Sequence, residues 1–165
     1  MTEKILHLEL ELNSSVQELW KYWTTAEGIQ SFFAPACNLD IKPDGAYEIF
    51  FFPENPPGMR GADGQRVMAV EEGKMLSFTW NFPPPLAAIR DQRTIVVLRF
   101  SETATGSKLS LFQMGWGESA IWQEGYEYFA KAWDKVVFPR LKYVVEGNSI
   151  DWSNPPAPET LCSAK

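Results

Sequence analysis

The sequence predicts an α+β protein in which one long C-terminal helix packs across an antiparallel sheet of about six or seven strands. Apolar side chains recur at three- and four-residue steps from Ser119 to about Glu146, as Trp122, Tyr126, Phe129, Trp133, Val136, Val137 and Val144, while Glu124, Glu127, Lys131, Asp134, Lys135 and Lys142 take the other side. Upstream, Asn38 to Met114 reads as an antiparallel meander, with alternating segments divided by turn signals. The strand–helix alternation of a parallel sheet is absent. Each large side chain of the stripe contributes roughly 1.5–3 kcal/mol when buried, so the stripe needs a broad apolar partner, and the alternating strands are that partner.

Leu6, Leu8, Leu10 and Leu12 alternate with His7, Glu9 and Glu11, the period of a first strand with one buried face. The alternation turns His7, the only histidine, toward solvent. Ser15 followed by Glu18 makes a capping box, and Val16, Leu19, Trp20 and Trp23 give a short amphipathic helix to about Thr25. A second short helix is expected from Glu27 to Phe33, ended by Pro35. Lys42-Pro43-Asp44-Gly45 is a turn in which glycine is expected to supply the positive φ, and Ala46 to Phe52 follows as a strand. Gln65 to Glu71 and Met75 to Phe82 make a hairpin, with Leu76, Phe78, Trp80 and Phe82 on one face. Gln92 to Ser101 and Lys108 to Met114 make the last hairpin, handed to the long helix through Gly115-Trp116-Gly117. Pro139 removes one helical hydrogen bond and crowds the carbonyl of Lys135, so a kink is expected there. The proline-rich segments Pro53–Met59 and Phe82–Ile89 read either as lids over the end of the sheet or as contacts with a second subunit.

At 165 residues the chain is read as one domain over 1–147 with a Pro-rich tail over 148–165 that lies on the body through Ile150 and Trp152. A net charge of −6 without a basic cluster excludes a nucleic-acid footprint and disfavours an anionic membrane surface. Glu3, Glu9 and Glu11 interrupt any signal-peptide core, and no stretch approaches a membrane span. Cys37 and Cys162 share no metal or redox spacing, so the expectation is two reduced thiols in a cytoplasmic protein.

Searching for chemistry returns no nucleophile motif, phosphate loop or metal spacing, and no cofactor or metal is expected. The remaining acid–base candidates are Glu48 and Gln113, each sharing a strand face with apolar residues, with Tyr126 as a possible donor from the helix. If that face is inner, burial raises the carboxyl pKa and the pair forms the polar end of a cavity. Alternation leaves open whether Glu48 faces inward with Phe50 or outward, opposite Tyr47, Ile49 and Phe51.

Several motifs stand in order along nearly the whole chain: Val16-x-x-Leu-Trp20-x-x-Trp23-Thr24-x-Ala26-Glu27 with Phe32-Phe33, Asp44-Gly45-Ala-Tyr47, Leu76-Ser-Phe78-Thr79-Trp80, and Gly106-Ser-Lys-Leu109-x-Leu111 leading to Gly115-Trp116. With the order of elements, they resemble the helix-grip fold of the START, birch-pollen-allergen and polyketide-cyclase (SRPBCC) superfamily. Within it the chain looks like the heat-shock-protein-90 ATPase activator homologue family. The resemblance implies a curved sheet wrapped around the long helix, with an apolar cavity between them. Eukaryotic members named for chaperone activation carry a further N-terminal domain, whereas this chain opens at the first strand, so co-chaperone work is not the leading expectation. That expectation is a soluble, non-enzymatic protein binding a hydrophobic or aromatic small molecule among Phe50, Phe52, Trp80, Phe82, Trp122, Tyr126, Phe129 and Trp133. A protein-interaction module and a cyclase- or aromatase-like enzyme using Glu48 are the alternatives. A homodimer is expected through Leu86, Ile89 and Met59 or a sheet edge.

Overall fold

The computed structural model describes residues 2–163. Strand β1 (Leu6–Leu12) buries Leu6 and Leu12 and exposes His7, Glu9 and Glu11, as its alternation requires. Helix α1 (Val16–Thr24) starts where the Ser15 hydroxyl accepts the Glu18 N–H at 3.1 Å. Helix α2 (Ala26–Phe32) follows at once, because the Thr25 hydroxyl ends the gap by accepting the Gly28 N–H at 3.0 Å. Leu19, Trp23, Ile29 and Phe32 from these helices are fully buried.

The strands form a five-stranded antiparallel sheet in the order β1-β7-β6-β5-β4 and a separate two-stranded pair β2-β3. Their ranges are β2 (Ala36–Leu39), β3 (Tyr47–Phe50), β4 (Val67–Glu71), β5 (Met75–Trp80), β6 (Thr94–Thr103) and β7 (Gly106–Met114). The expected strand from Ala46 to Phe52 is shorter, because Gly61, at φ 149°, packs so tightly on Ile49 and Phe51 that a Cβ there would collide with both. Between β3 and β4 the ladder is reduced to isolated bridges, Ala46 with Arg66 and Phe50 with Gly61. The register of β4 on β5 also shifts between Val67 and Ala69, which bends the sheet at this end. In the turn before β3 the left-handed residue is Asp44, at φ 64°, and not Gly45, whose bare Cα is needed for its close approach to the Asp40 carbonyl.

The C-terminal helix is a composite of α3 (Ala120–Ala132), a π-helical turn (Trp133–Val137) and α4 (Phe138–Val145). The break expected at Pro139 takes this form one turn upstream, where the Phe138 N–H reaches back five residues to the Trp133 carbonyl. Phe129, Trp133, Val137, Phe138 and Leu141 point inward onto Trp80, Phe82 and the core of α1 and α2. Beyond Gly147 the tail returns over the body: the Trp152 indole N–H donates to the Gln30 carbonyl at 2.6 Å, and a short helix α5 (Pro158–Ser163) follows. No helix among the described residues is long and apolar enough to cross a membrane.

Candidate functional site

A concavity lies where the sheet stops short of covering the C-terminal helix. β5 ends at Trp80, and the chain leaves the sheet through Asn81, Phe82 and three consecutive prolines that cannot extend a ladder. The loop between β3 and β4 arches over the same end, and the two loops meet the helix around a cavity of about 670 Å³. Phe33, Trp80 and Trp133 form its aromatic floor, with ring centroids 5.9 Å, 5.8 Å and 5.7 Å apart for Phe33–Trp80, Phe33–Trp133 and Trp80–Trp133. Phe51, Phe52, Pro53 and Met59 supply one wall. Phe129, Val136 and Arg140 supply the helix side, and Trp152 and Pro155 of the tail close it further.

Two polar constructions hold these walls. Gln113, fully buried on β7, accepts the Trp133 indole N–H at its Oε1 at 2.8 Å and donates from Nε2 to the Thr94 hydroxyl at 2.8 Å, which in turn donates to the Trp80 carbonyl at 3.1 Å. One amide thus fixes the Trp133 ring of the helix against β5 and β6. The second construction orders the loop. The Asp63 carboxylate accepts the N–H groups of Gly58, Arg60 and Gly61 and the Arg60 guanidinium, each at 2.9 Å. Burial pushes its pKa up, but these hydrogen bonds outweigh it and hold the carboxyl below its ordinary value. Arg90, between the proline run and β6, reaches back to the Gly58 and Gly61 carbonyls at 2.8 Å each and to that of Phe82, and lies 3.7 Å from Asp63.

Phe52, Trp80, Phe82, Phe129 and Trp133 of the expected ligand cluster all line this cavity. Phe50, Trp122 and Tyr126 do not, and each has a local reason. Tyr47 and Ile49 take the inner face of β3, which turns Phe50 outward beneath the Arg60 guanidinium, 4.1 Å from the ring centroid. Trp122 packs edge-on against Phe82 at 5.0 Å, and Tyr126 against Trp116 at 5.1 Å, filling the space beneath the start of α3. Glu48 and Gln113 are not brought together at a polar end of the cavity. Glu48 shares the outer face with Phe50, half-buried, and its oxygens accept from Asn38 Nδ2 at 2.8 Å and the Gly64 N–H at 2.7 Å. Gln113 has both ends of its amide occupied within the core. Ile89, expected at a subunit contact, is buried against the bare Cα of Gly125, and Leu86 is half-buried.

Sequence reasoning missed Arg90, Asp63, Tyr128 and Arg140. The first two meet only through the fold, and no local spacing signals them. Arg140 was readable, since 129, 133, 136 and 140 advance by four, three and four residues along one helix face. Among the described residues no group of three His, Cys, Asp or Glu is placed to hold a metal ion.

The family model described as "Activator of Hsp90 ATPase homolog 1-like protein" matches residues 13–146. No curated protein matches the chain. Among solved structures, protein MLL2253 from Mesorhizobium loti superposes with a TM-score of 0.67 at 20% identity, covering 89% of this chain and 100% of that one. CalU16 from Micromonospora echinospora gives 0.60 at 18% identity over 96% of this chain and 78% of its own. DynU16, a protein in the dynemicin biosynthetic locus, gives 0.62 at 16% identity over 90% of this chain and 49% of its own. At such identities these likenesses establish a shared helix-grip architecture.

Proposed function

The chain belongs to the activator of Hsp90 ATPase homolog 1-like family, with the helix-grip fold of the SRPBCC superfamily, and on that premise we propose that it is a soluble binding protein for a hydrophobic, ring-bearing small molecule. The observation that carries this reading is the cavity of about 670 Å³, floored by Phe33, Trp80 and Trp133 and open between two loops and the C-terminal helix. Rigid aromatic walls leave a slot for a flat ring, and Gln113 holds one of those walls in place before any ligand arrives. The cavity offers no histidine, and the one carboxylate on its wall is the exposed Glu54, so the reading is binding without acid–base catalysis. The reduced thiols Cys37 and Cys162 suit a cytoplasmic setting.

Incubating the purified protein with the neutral fluorophore N-phenyl-1-naphthylamine tests the proposal. Saturable enhancement, with one added mass of the probe in native mass spectrometry, is the expected result. Absence of uptake overturns it and favours instead a protein-docking role for the rim, where Phe52 is 57%, Met59 44% and Tyr128 48% exposed.

A further inference from the structure

Resting on that reading, we infer that the ligand is an amphipathic monocarboxylate, its ring on the Trp80–Trp133 floor and its carboxylate on the Arg140 guanidinium. Arg140 is half-buried on α4, where it lines the cavity, and among the described residues it makes no hydrogen bond and no ion pair. Its Nε is buried without any acceptor. The face of Trp152 lies 5.3 Å from its guanidinium carbon, and that ring is pinned by its bond to the Gln30 carbonyl. A half-buried cation with its donors unmet is costly unless something charged completes it.

The contrast with Arg90 marks Arg140 as the ligand-facing group. The Arg90 Nε is likewise buried without an acceptor, but its two terminal nitrogens donate to the Phe82, Gly58 and Gly61 carbonyls and Asp63 answers its charge. Burial disfavours the charged form of both arginines, but at Arg90 the carboxylates of Asp63 and Asp91 oppose that effect, and at Arg140 none does. A guanidinium fork matches a carboxylate with two parallel hydrogen bonds. One uncompensated positive charge calls for one negative charge, and Glu54 at the wall disfavours a second. Arg140 lies seven positions beyond Trp133, about 10 Å along a helix axis, which leaves room for a ring and a short chain between floor and cation.

The test compares 1-pyrenebutyric acid with its neutral primary amide, each titrated into the protein by calorimetry at pH 7.5 and low salt. The acid should bind the natural protein about ten- to a hundredfold more tightly than the amide, the range expected of hydrogen bonds to a charged group. Arg140→Gln should erase that preference, and Arg140→Lys should keep part of it. The acid–amide comparison on the unaltered protein stands even where a variant fails to fold. Equal binding of acid and amide overturns the carboxylate assignment and leaves the cavity reading intact, whereas binding of neither overturns both. An acid preference that survives in Arg140→Gln also overturns the assignment.

Discussion

Replacing Gln113 by leucine tests whether one buried amide locks the helix to the sheet. The substitution keeps roughly the volume but removes the acceptor of the Trp133 indole N–H, a bond of 2.8 Å, and the donor to the Thr94 hydroxyl, also 2.8 Å. Thr94 keeps its bond to the Trp80 carbonyl, so the main loss is a buried indole N–H without an acceptor, about 1–3 kcal/mol. For a chain of this size each kcal/mol lowers Tm by about 2–4 °C. Urea unfolding at pH 7 should show that loss in the midpoint with an unchanged m value. Trp133→Phe removes the orphaned donor, so in the Gln113→Leu background it should cost less than in the natural protein, with a coupling of about 1–2 kcal/mol. Additivity of the two substitutions within about 0.5 kcal/mol would refute the clamp.

Asp63→Asn should destabilise the protein by about 1–3 kcal/mol at neutral pH, since a charged acceptor of four hydrogen bonds becomes a neutral one. Because the folded pKa of Asp63 is depressed, its contribution is complete above the unfolded value of about 3.9 and is lost as pH falls through the folded value; urea midpoints below about pH 4 should therefore fall less steeply in the variant. Gly125→Ala adds a methyl group that meets the buried Phe82 ring. Overpacking of about 1–3 kcal/mol should outweigh the helix-propensity gain of about 1 kcal/mol, and a thermal scan showing a raised Tm would contradict that ordering. Light scattering at high concentration should report a homodimer that Met59→Lys weakens, the exposed apolar rim being its contact; monomer throughout removes the assembly from the proposal.

The architecture was legible because its signals are local. The Leu6–Leu12 alternation, the Ser15 cap and the spacing of Phe129, Trp133 and Val137 each state which face is buried, and the structure buries those faces. The site was legible in part for the same reason: Trp80 and Phe82 follow from strand alternation, and Phe129 and Trp133 from the helical stripe. Glu48 was undecidable because its strand carries aromatics on both faces, and the choice is made by Asn38 and the Gly64 N–H, partners supplied by other segments. Gln113 drew notice because it shares a face with Leu109 and Leu111, but a buried amide serves packing as readily as chemistry, and its bond to the Trp133 ring comes only from the fold. Arg90 and Asp63 were out of reach, since loop geometry and 26 intervening residues separate a pair that the sequence never juxtaposes.

The π-helical turn Trp133–Val137 decides how the C-terminal helix responds to a change of length. A regular helix advances about 100° per residue, and the widened turn houses its surplus residue without undoing the packing of either flank. Deleting a single residue between Trp133 and Val137 would let the helix close into a uniform α-helix with α3 and α4 both held in their present packing. Arg140 would keep its place on the cavity wall, whereas the same deletion within the regular α-helix of α3 would turn everything beyond it by about 100°. The turn therefore tolerates the loss of a residue that the regular helix on either side does not.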